Sequence, residues 1–82
     1  MRTIEVLGSG CENCKRLEAN ARAAVTLAGV EAEIVKVTDY GQITAYGIMS
    51  TPGLVIDGKV VSYGRIPSPG DIAVWLAEAP AS

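Results

Sequence analysis

The sequence predicts one layered α/β domain with the element order β-α-β-α-β-β-α. Three observations lead there. At 82 residues, 49% hydrophobic and 20% charged, the chain has the composition of a folded globular protein too short to divide. Its first half switches from a β-type run to a helical period and back, and its second half carries the signals of a hairpin and a capped helix. Repeats, low-complexity segments and linkers are all missing, so residues 1–82 are read as a single domain.

The elements follow in order. Thr3-Ile4-Glu5-Val6-Leu7 is a short β-type run stopped by Gly8-Ser9-Gly10. From Cys11 the period changes: Cys14, Leu17, Ala21, Ala24, Val25 and Ala28 fall on one helical face, while Lys15, Arg16, Glu18 and Arg22 point away. Gly29 follows as the helix stop. Ala32 to Val37 is rich in β-branched residues and reads as a second strand, so the first three elements form a βαβ unit with parallel strands and a right-handed crossover. Thr38 or Asp39 caps a short helix through Tyr46, ended by Gly47. Leu54-Val55-Ile56, Asp57-Gly58 and Lys59-Val60-Val61-Ser62 read as a hairpin, because Asp-Gly suits a type I′ turn. Ser68-Pro69-Gly70-Asp71 then starts a helix, with Ser at N-cap and Pro at N1. Ile72, Trp75, Leu76 and Ala79 form its apolar stripe, Trp75 among the core residues, and Pro80 closes it.

Composition also excludes. With three Tyr, one Trp and no Phe, the core must be built mainly from Val, Ile, Leu and Ala. The chain has two Cys and no His, which removes every Cys-His or Ser-His nucleophile and every His-ligated metal site. A net charge of −2 and a pI near 4.9 argue against nucleic acid or an anionic membrane as partner. Met1-Arg2-Thr3-Ile4-Glu5 puts charge where a signal peptide needs apolar residues, and the uncharged stretch from Tyr40 is broken by glycines and Pro52. A cytoplasmic location is therefore expected. In that reducing compartment a close Cys pair reads as redox or metal chemistry before it reads as a staple.

Cys11-Glu12-Asn13-Cys14 lies where a Gly-rich loop enters a helix. A helix start carries unpaired N–H groups and the positive end of the macrodipole, which favour a thiolate, the form that attacks disulfides. Cys11, at or just before the first turn, is expected to be the exposed, attacking sulfur. Cys14 shares the face of Leu17 and Ala21, so it is expected to be shielded and to resolve. Glu12 opposes the helix dipole, while Lys15 and Arg16 one turn on favour the thiolate. A structural disulfide would close a very short loop, worth roughly 2 kcal/mol, in a compartment that would not maintain it. Zinc needs four ligands and finds two sulfurs, although Cu(I) can be held by two. Gly8-x-Gly10 is not a dinucleotide loop, because position 13 is Asn and no second nucleotide-binding half fits.

Beyond the pair, Ser50-Thr51-Pro52 precedes the hairpin and Gly64 follows the last strand. With these residues the chain resembles, over essentially its whole length, the small thioredoxin-like proteins of glutaredoxin size known as redox-active disulfide proteins. The resemblance implies a thioredoxin-like fold, a four-stranded mixed sheet flanked by three helices. It implies a cis Pro52 against the cysteine pair, where the residues alone would also allow a trans type II turn with Gly53. It implies that the Thr51 backbone pairs with an extended substrate segment, and that Gly64 lets a partner backbone approach. Gly10, Glu12 and Asn13 would complete the substrate-facing rim. Glu5, six residues before Cys11, matches a family acid that accepts the proton of the resolving thiol. An ordinary solvent-facing strand glutamate is the favoured reading of Glu5, since burying a carboxylate is costly.

The activity implied is that of a thiol–disulfide oxidoreductase, a monomeric electron carrier that reduces protein disulfides and binds no cofactor or metal. A thioredoxin reductase using NADPH would recharge it. The pattern departs from typical thioredoxins in having Ser9-Gly10 rather than Trp before the first Cys. It departs from glutaredoxins in having Arg65 after Gly64, which counts against glutathione binding. Two alternatives stand beside this reading. One is a soft-metal chaperone of the heavy-metal-associated type, whose order β-α-β-β-α-β ends in a strand. The other keeps the fold and makes the protein a dedicated redox partner of one protein or of a metalloid system.

Overall fold

The computed structural model describes residues 2–8, 12–48 and 50–78. Its elements are β1 (Arg2–Leu7), α1 (Glu12–Ala28), β2 (Ala32–Val37), α2 (Tyr40–Ala45), β3 (Gly53–Ile56), β4 (Lys59–Tyr63) and α3 (Pro69–Ala77). The order is the one predicted, and the strands form one mixed sheet in the order β2-β1-β3-β4. β1 runs parallel to β2, from Arg2 opposite Ala32 to Leu7 opposite Val37. β1 runs antiparallel to β3, with Ile4 opposite Ile56 and Leu7 opposite Gly53. The first strand is thus central, and it delivers the chain to the start of α1 at one end of the sheet.

Local chemistry ends the elements as expected. Gly29, at φ +67°, takes the left-handed conformation that stops α1. The Asp39 side chain accepts the Gly41 N–H at 3.1 Å and caps α2, and Ser68 Oγ accepts the Asp71 N–H at 3.1 Å and caps α3. Asp57 and Gly58 both have positive φ, 51° and 84°, as a type I′ turn requires. Asp57 also accepts the Thr3 N–H and pairs with the Arg2 guanidinium, which donates onward to the Leu76 carbonyl at 2.8 Å. The hairpin turn is thereby tied to β1 and to the end of α3.

The hairpin forms as expected with one added feature, and one expectation, Trp75 in the core, needs correction. The hairpin is not regular: Leu54 faces Ser62 while Val55 faces Val60, so Val61 is an extra residue in β4. A bulge of this kind leaves no mark in the hydrophobic pattern. Trp75 is half-buried at the rim of the core rather than inside it, because Ile72 and Leu76 occupy the centre of the α3 stripe. Ala79 and Pro80, expected to extend and close α3, lie outside the described residues.

Strand alternation sorts the apolar side chains onto the two faces of the sheet. Ile4, Val6, Leu54 and Ile56 pack against Leu17, Ala21 and Ala24 of α1 and Ile72 and Leu76 of α3. The small Ala21 and Ala24 side chains let α1 lie close to its neighbours. On the opposite face, Leu7, Val37 and Val55 pack against Ile43 of α2 and against Ile48.

Candidate active site

Cys14 stands on the first turn of α1, and it is buried, at 5% exposure, as its place on the apolar helical face predicts. Glu12 and Asn13 precede it in the same turn and are exposed. Cys11 and Gly10 lie outside the described residues. α1 reaches this position because Leu17, Ala21 and Ala24 anchor its later turns in the core.

The end of β1 meets the sulfur directly. Gly8 is buried, and a Cβ built on it would lie 2.2 Å from Cys14 Sγ and 3.9 Å from Thr51 Cβ. Three segments therefore converge on one point: the strand end, the helix start just after it, and the distant loop before β3. Beside it lies a small cavity of about 60 Å³, bounded by Cys14, Val6, Gly8, Glu18 and Lys36 among others.

The loop supplies the second part of the site. The Thr51–Pro52 peptide bond is cis, not the trans bond of a type II turn. Pro52 is buried, while Ser50 and Thr51 are exposed. Gly64 N–H donates to the Pro52 carbonyl at 3.0 Å, which joins the residue after β4 to the loop before β3. Gly64 has φ +73°, and a Cβ there would approach Ser50 Cβ to 3.1 Å, so both its conformation and its contact favour glycine. The structure thus gathers Cys14, Thr51, Pro52 and Gly64 at one end of the sheet.

Glu5 does not join them. It lies opposite Val35 and Val55 in the sheet, on the face away from Ile4, Val6 and α1. There its carboxylate accepts the Tyr46 hydroxyl proton at 2.6 Å. That bond, together with burial and the adjacent negative charge, holds the Tyr46 hydroxyl above its usual pKa of 10.0. Glu5 is accordingly half-buried and engaged, neither solvent-facing nor beside Cys14. The six-residue spacing to Cys11 counts distance along the chain, whereas the strand period decides the face.

On the Cys14 side, the small cavity is bordered by Lys15, Lys36 and one carboxylate, Glu18, one turn further along α1. Glu18 receives Arg22 Nη2 at 2.9 Å and Lys36 Nζ at 3.3 Å, and the Arg22 hydrogen bond leads the causes that hold its carboxyl below the usual value. Sequence reasoning placed Glu18 among residues pointing away and did not single out Lys36. The parallel register sets Lys36 opposite Val6, which brings it to the α1 face. In the sequence Gly8 likewise carries the signature of a strand stop and gives no sign of its contact with Cys14.

No cluster of three or more His, Cys, Asp or Glu able to hold a metal ion occurs among the described residues. Among them, too, no helix is long and apolar enough to cross a membrane. The order β-α-β-α-β-β-α, with a helix following β4, is not the β-α-β-β-α-β of the heavy-metal-associated type.

Comparison with known proteins agrees with this geometry. The family model described as "Thioredoxin domain" matches residues 2–77. A thioredoxin of Methanothermobacter thermautotrophicus is 42% identical over 77 residues, covering 94% of this chain and 100% of that protein. A thioredoxin of Methanocaldococcus jannaschii is 40% identical over 72 residues, covering 88% of this chain and 83% of its own length. A C-x-x-C motif in the sequence ahead of α1, Thr51-Pro52 ahead of β3, and matches that span nearly the whole chain all point one way: this chain belongs to the thioredoxin domain family.

Proposed function

We propose that this thioredoxin-like thiol–disulfide oxidoreductase works by dithiol exchange, with Cys11 as the attacking sulfur and Cys14 as the resolving one. The observation that carries the assignment is the burial of Cys14 on the first turn of α1, with its sulfur against Gly8. A shielded sulfur cannot meet a protein substrate first, but it can resolve a mixed disulfide on a cysteine three residues earlier in the chain.

The exchange then runs in two displacements. The Cys11 thiolate attacks one sulfur of a substrate disulfide, the substrate S–S bond breaks, and the first substrate thiolate leaves. Cys14 gives up its proton and attacks the Cys11 sulfur, breaking the mixed disulfide and releasing the second substrate thiolate. Two electrons have passed to the substrate, and the protein retains a Cys11–Cys14 disulfide. A reductase partner returns the dithiol, as is general in the family; a thioredoxin reductase drawing on NADPH is the donor proposed here. Arg65 after Gly64 weighs against glutathione in that role.

Substrate docking uses the exposed rim. Thr51 offers its backbone to an extended segment, Gly64 leaves room for the segment's own backbone, and Gly10, Glu12 and Asn13 flank the sulfurs. Pro52 backs Thr51 from the buried side. Glu5 is assigned to holding Tyr46 rather than to taking the Cys14 proton. The protein works as a monomer in a reducing compartment, the cytoplasm, where protein disulfides are its substrates.

The test is insulin-disulfide reduction with a reductase-coupled or dithiol-coupled assay. Cys11→Ser is expected to abolish reduction, and Cys14→Ser to accumulate protein–substrate mixed disulfides that gel electrophoresis without reductant reveals. Full activity in the Cys11→Ser protein would overturn the assignment.

A further inference from the structure

We infer that Gly8 is a positioning residue for the resolving step, because the sulfur of Cys14 occupies the space that a side chain at position 8 would fill. The inference rests on the dithiol reading above and adds a residue to it.

The glycines of this chain divide by the reason for their presence. Gly29, Gly47 and Gly58 have positive φ, and a Cβ on any of them would meet nothing within 4 Å among the described residues. They serve the backbone. Gly8 is outside the left-handed region, so any L-residue could adopt its conformation. What a side chain there lacks is room: its Cβ would fall 2.2 Å from Cys14 Sγ, against the 3.4 Å at which ordinary contact begins. Among the described residues the conflict is with the sulfur alone, since Cys14 Cβ would be 3.5 Å away, an ordinary contact.

Neither backbone can readily give way. Gly8 N–H donates to the Val37 carbonyl at 2.9 Å, which holds the strand end to β2. α1 is anchored through Leu17, Ala21 and Ala24, each fully buried. A methyl group at position 8 must therefore move the sulfur itself, by roughly 1 Å or more, into a different rotamer. Thr51 Cβ, 3.9 Å from the same point, closes the space on the loop side.

Displacement of this size matters to one step and not to the other. The first displacement is carried out by Cys11 and does not use the Cys14 sulfur. The second requires Cys14 Sγ to lie in line with the Cys11–substrate bond, and a misplacement of about 1 Å can cost on the order of 100-fold in such a step. Gly8 thereby governs how quickly the mixed disulfide is resolved.

The experiment is stopped-flow reaction of the reduced protein with dithiobis(nitrobenzoate), which releases one coloured thiolate at each displacement. In Gly8→Ala the first phase is expected to stay within about threefold of wild type while the second slows by about 100-fold. A wild-type second phase would overturn the inference and leave the dithiol reading intact. A Cys14→Ser protein that still released both thiolates would overturn the dithiol reading and the inference with it. A thermal double-mutant cycle covers the case in which Gly8→Ala folds poorly. The substitution is expected to lower the melting midpoint when Cys14 is present and to leave it nearly unchanged in a Cys14→Ala background. An equal drop in both backgrounds would show that the sulfur is not what Gly8 accommodates.

Discussion

The two faces of the sheet are covered in different ways. Toward α1 and α3, four strand residues meet five helix residues, and every one of the nine is buried and apolar. Toward α2, a single short helix contributes Ile43, Ile48 follows it, and the cover is completed by a polar contact between Tyr46 and Glu5. The first face holds α1 rigidly against β1 and so presents the Cys14 sulfur to a fixed point. The second backs the strand that leaves the cis-proline loop, where a Cβ on Gly53 would approach Ile48 Cδ1 to 2.7 Å. The apolar area is concentrated behind the helix that carries Cys14, and the thinner face lies behind the cis-proline loop.

Truncation tests that asymmetry most directly. Leu17→Ala empties the centre of the larger core and is expected to cost the upper part of about 2–5 kcal/mol. Ile43→Ala, under a short helix that can settle inward, is expected to cost the lower part of that range. Urea unfolding of both variants measures the difference, and equal costs would erase the distinction between the faces.

A smaller effect belongs to the polar contact. Tyr46→Phe removes the donor to Glu5 and is expected to lower stability by about 1 kcal/mol while leaving disulfide reduction unchanged. Lost reductase activity in that variant would tie the α2 face to the chemistry after all. The pH dependence has a defined sign. Because the folded Tyr46 hydroxyl titrates above 10.0, its contribution is present below that value and disappears as pH rises through the folded one. Tyr46→Phe and wild type should therefore converge in stability at strongly alkaline pH.

The smallest effect is expected at the far end of the sheet. Asp57 is held below its usual 3.8, first by the Thr3 N–H and then by Arg2. A depressed carboxyl contributes above its unfolded pKa, and that contribution fades as pH falls through the folded value. Asp57→Asn keeps a residue tolerant of the positive φ and removes the charge, so its melting midpoint should lie slightly below wild type at neutral pH and merge with it in acid. A gap that persisted in acid would mean that Asp57 acts through the turn and not through its charge.

Much of this could be read before any coordinates. The bounds of β2, the cap residues Asp39 and Ser68, the stop at Gly29 and the Asp57-Gly58 turn are local matters, set by backbone conformations and by bonds that reach only a few residues. The burial of Cys14 follows from its position on the face of Leu17 and Ala21. Glu5 and Gly8 were not legible in the same way. Whether Glu5 faces α1 or α2, and what stands beside Gly8, depend on partners 41 residues away in one case and on a helix and a loop in the other.

The order of elements, the sulfur pair ahead of a helix and the Thr-Pro ahead of a hairpin are all legible in the sequence. These are written in periodicity, turn chemistry and spacing. Tertiary packing sets which face each strand residue takes, the extra Val61 in β4, the bond from Tyr46 to Glu5, and the Cys14 sulfur in the space a side chain on Gly8 would fill. The reason is physical. Periodicity and capping act over a turn or a strand, whereas contact between β1, α1 and the cis-proline loop exists only after sheet register and helix packing have brought distant segments within van der Waals distance.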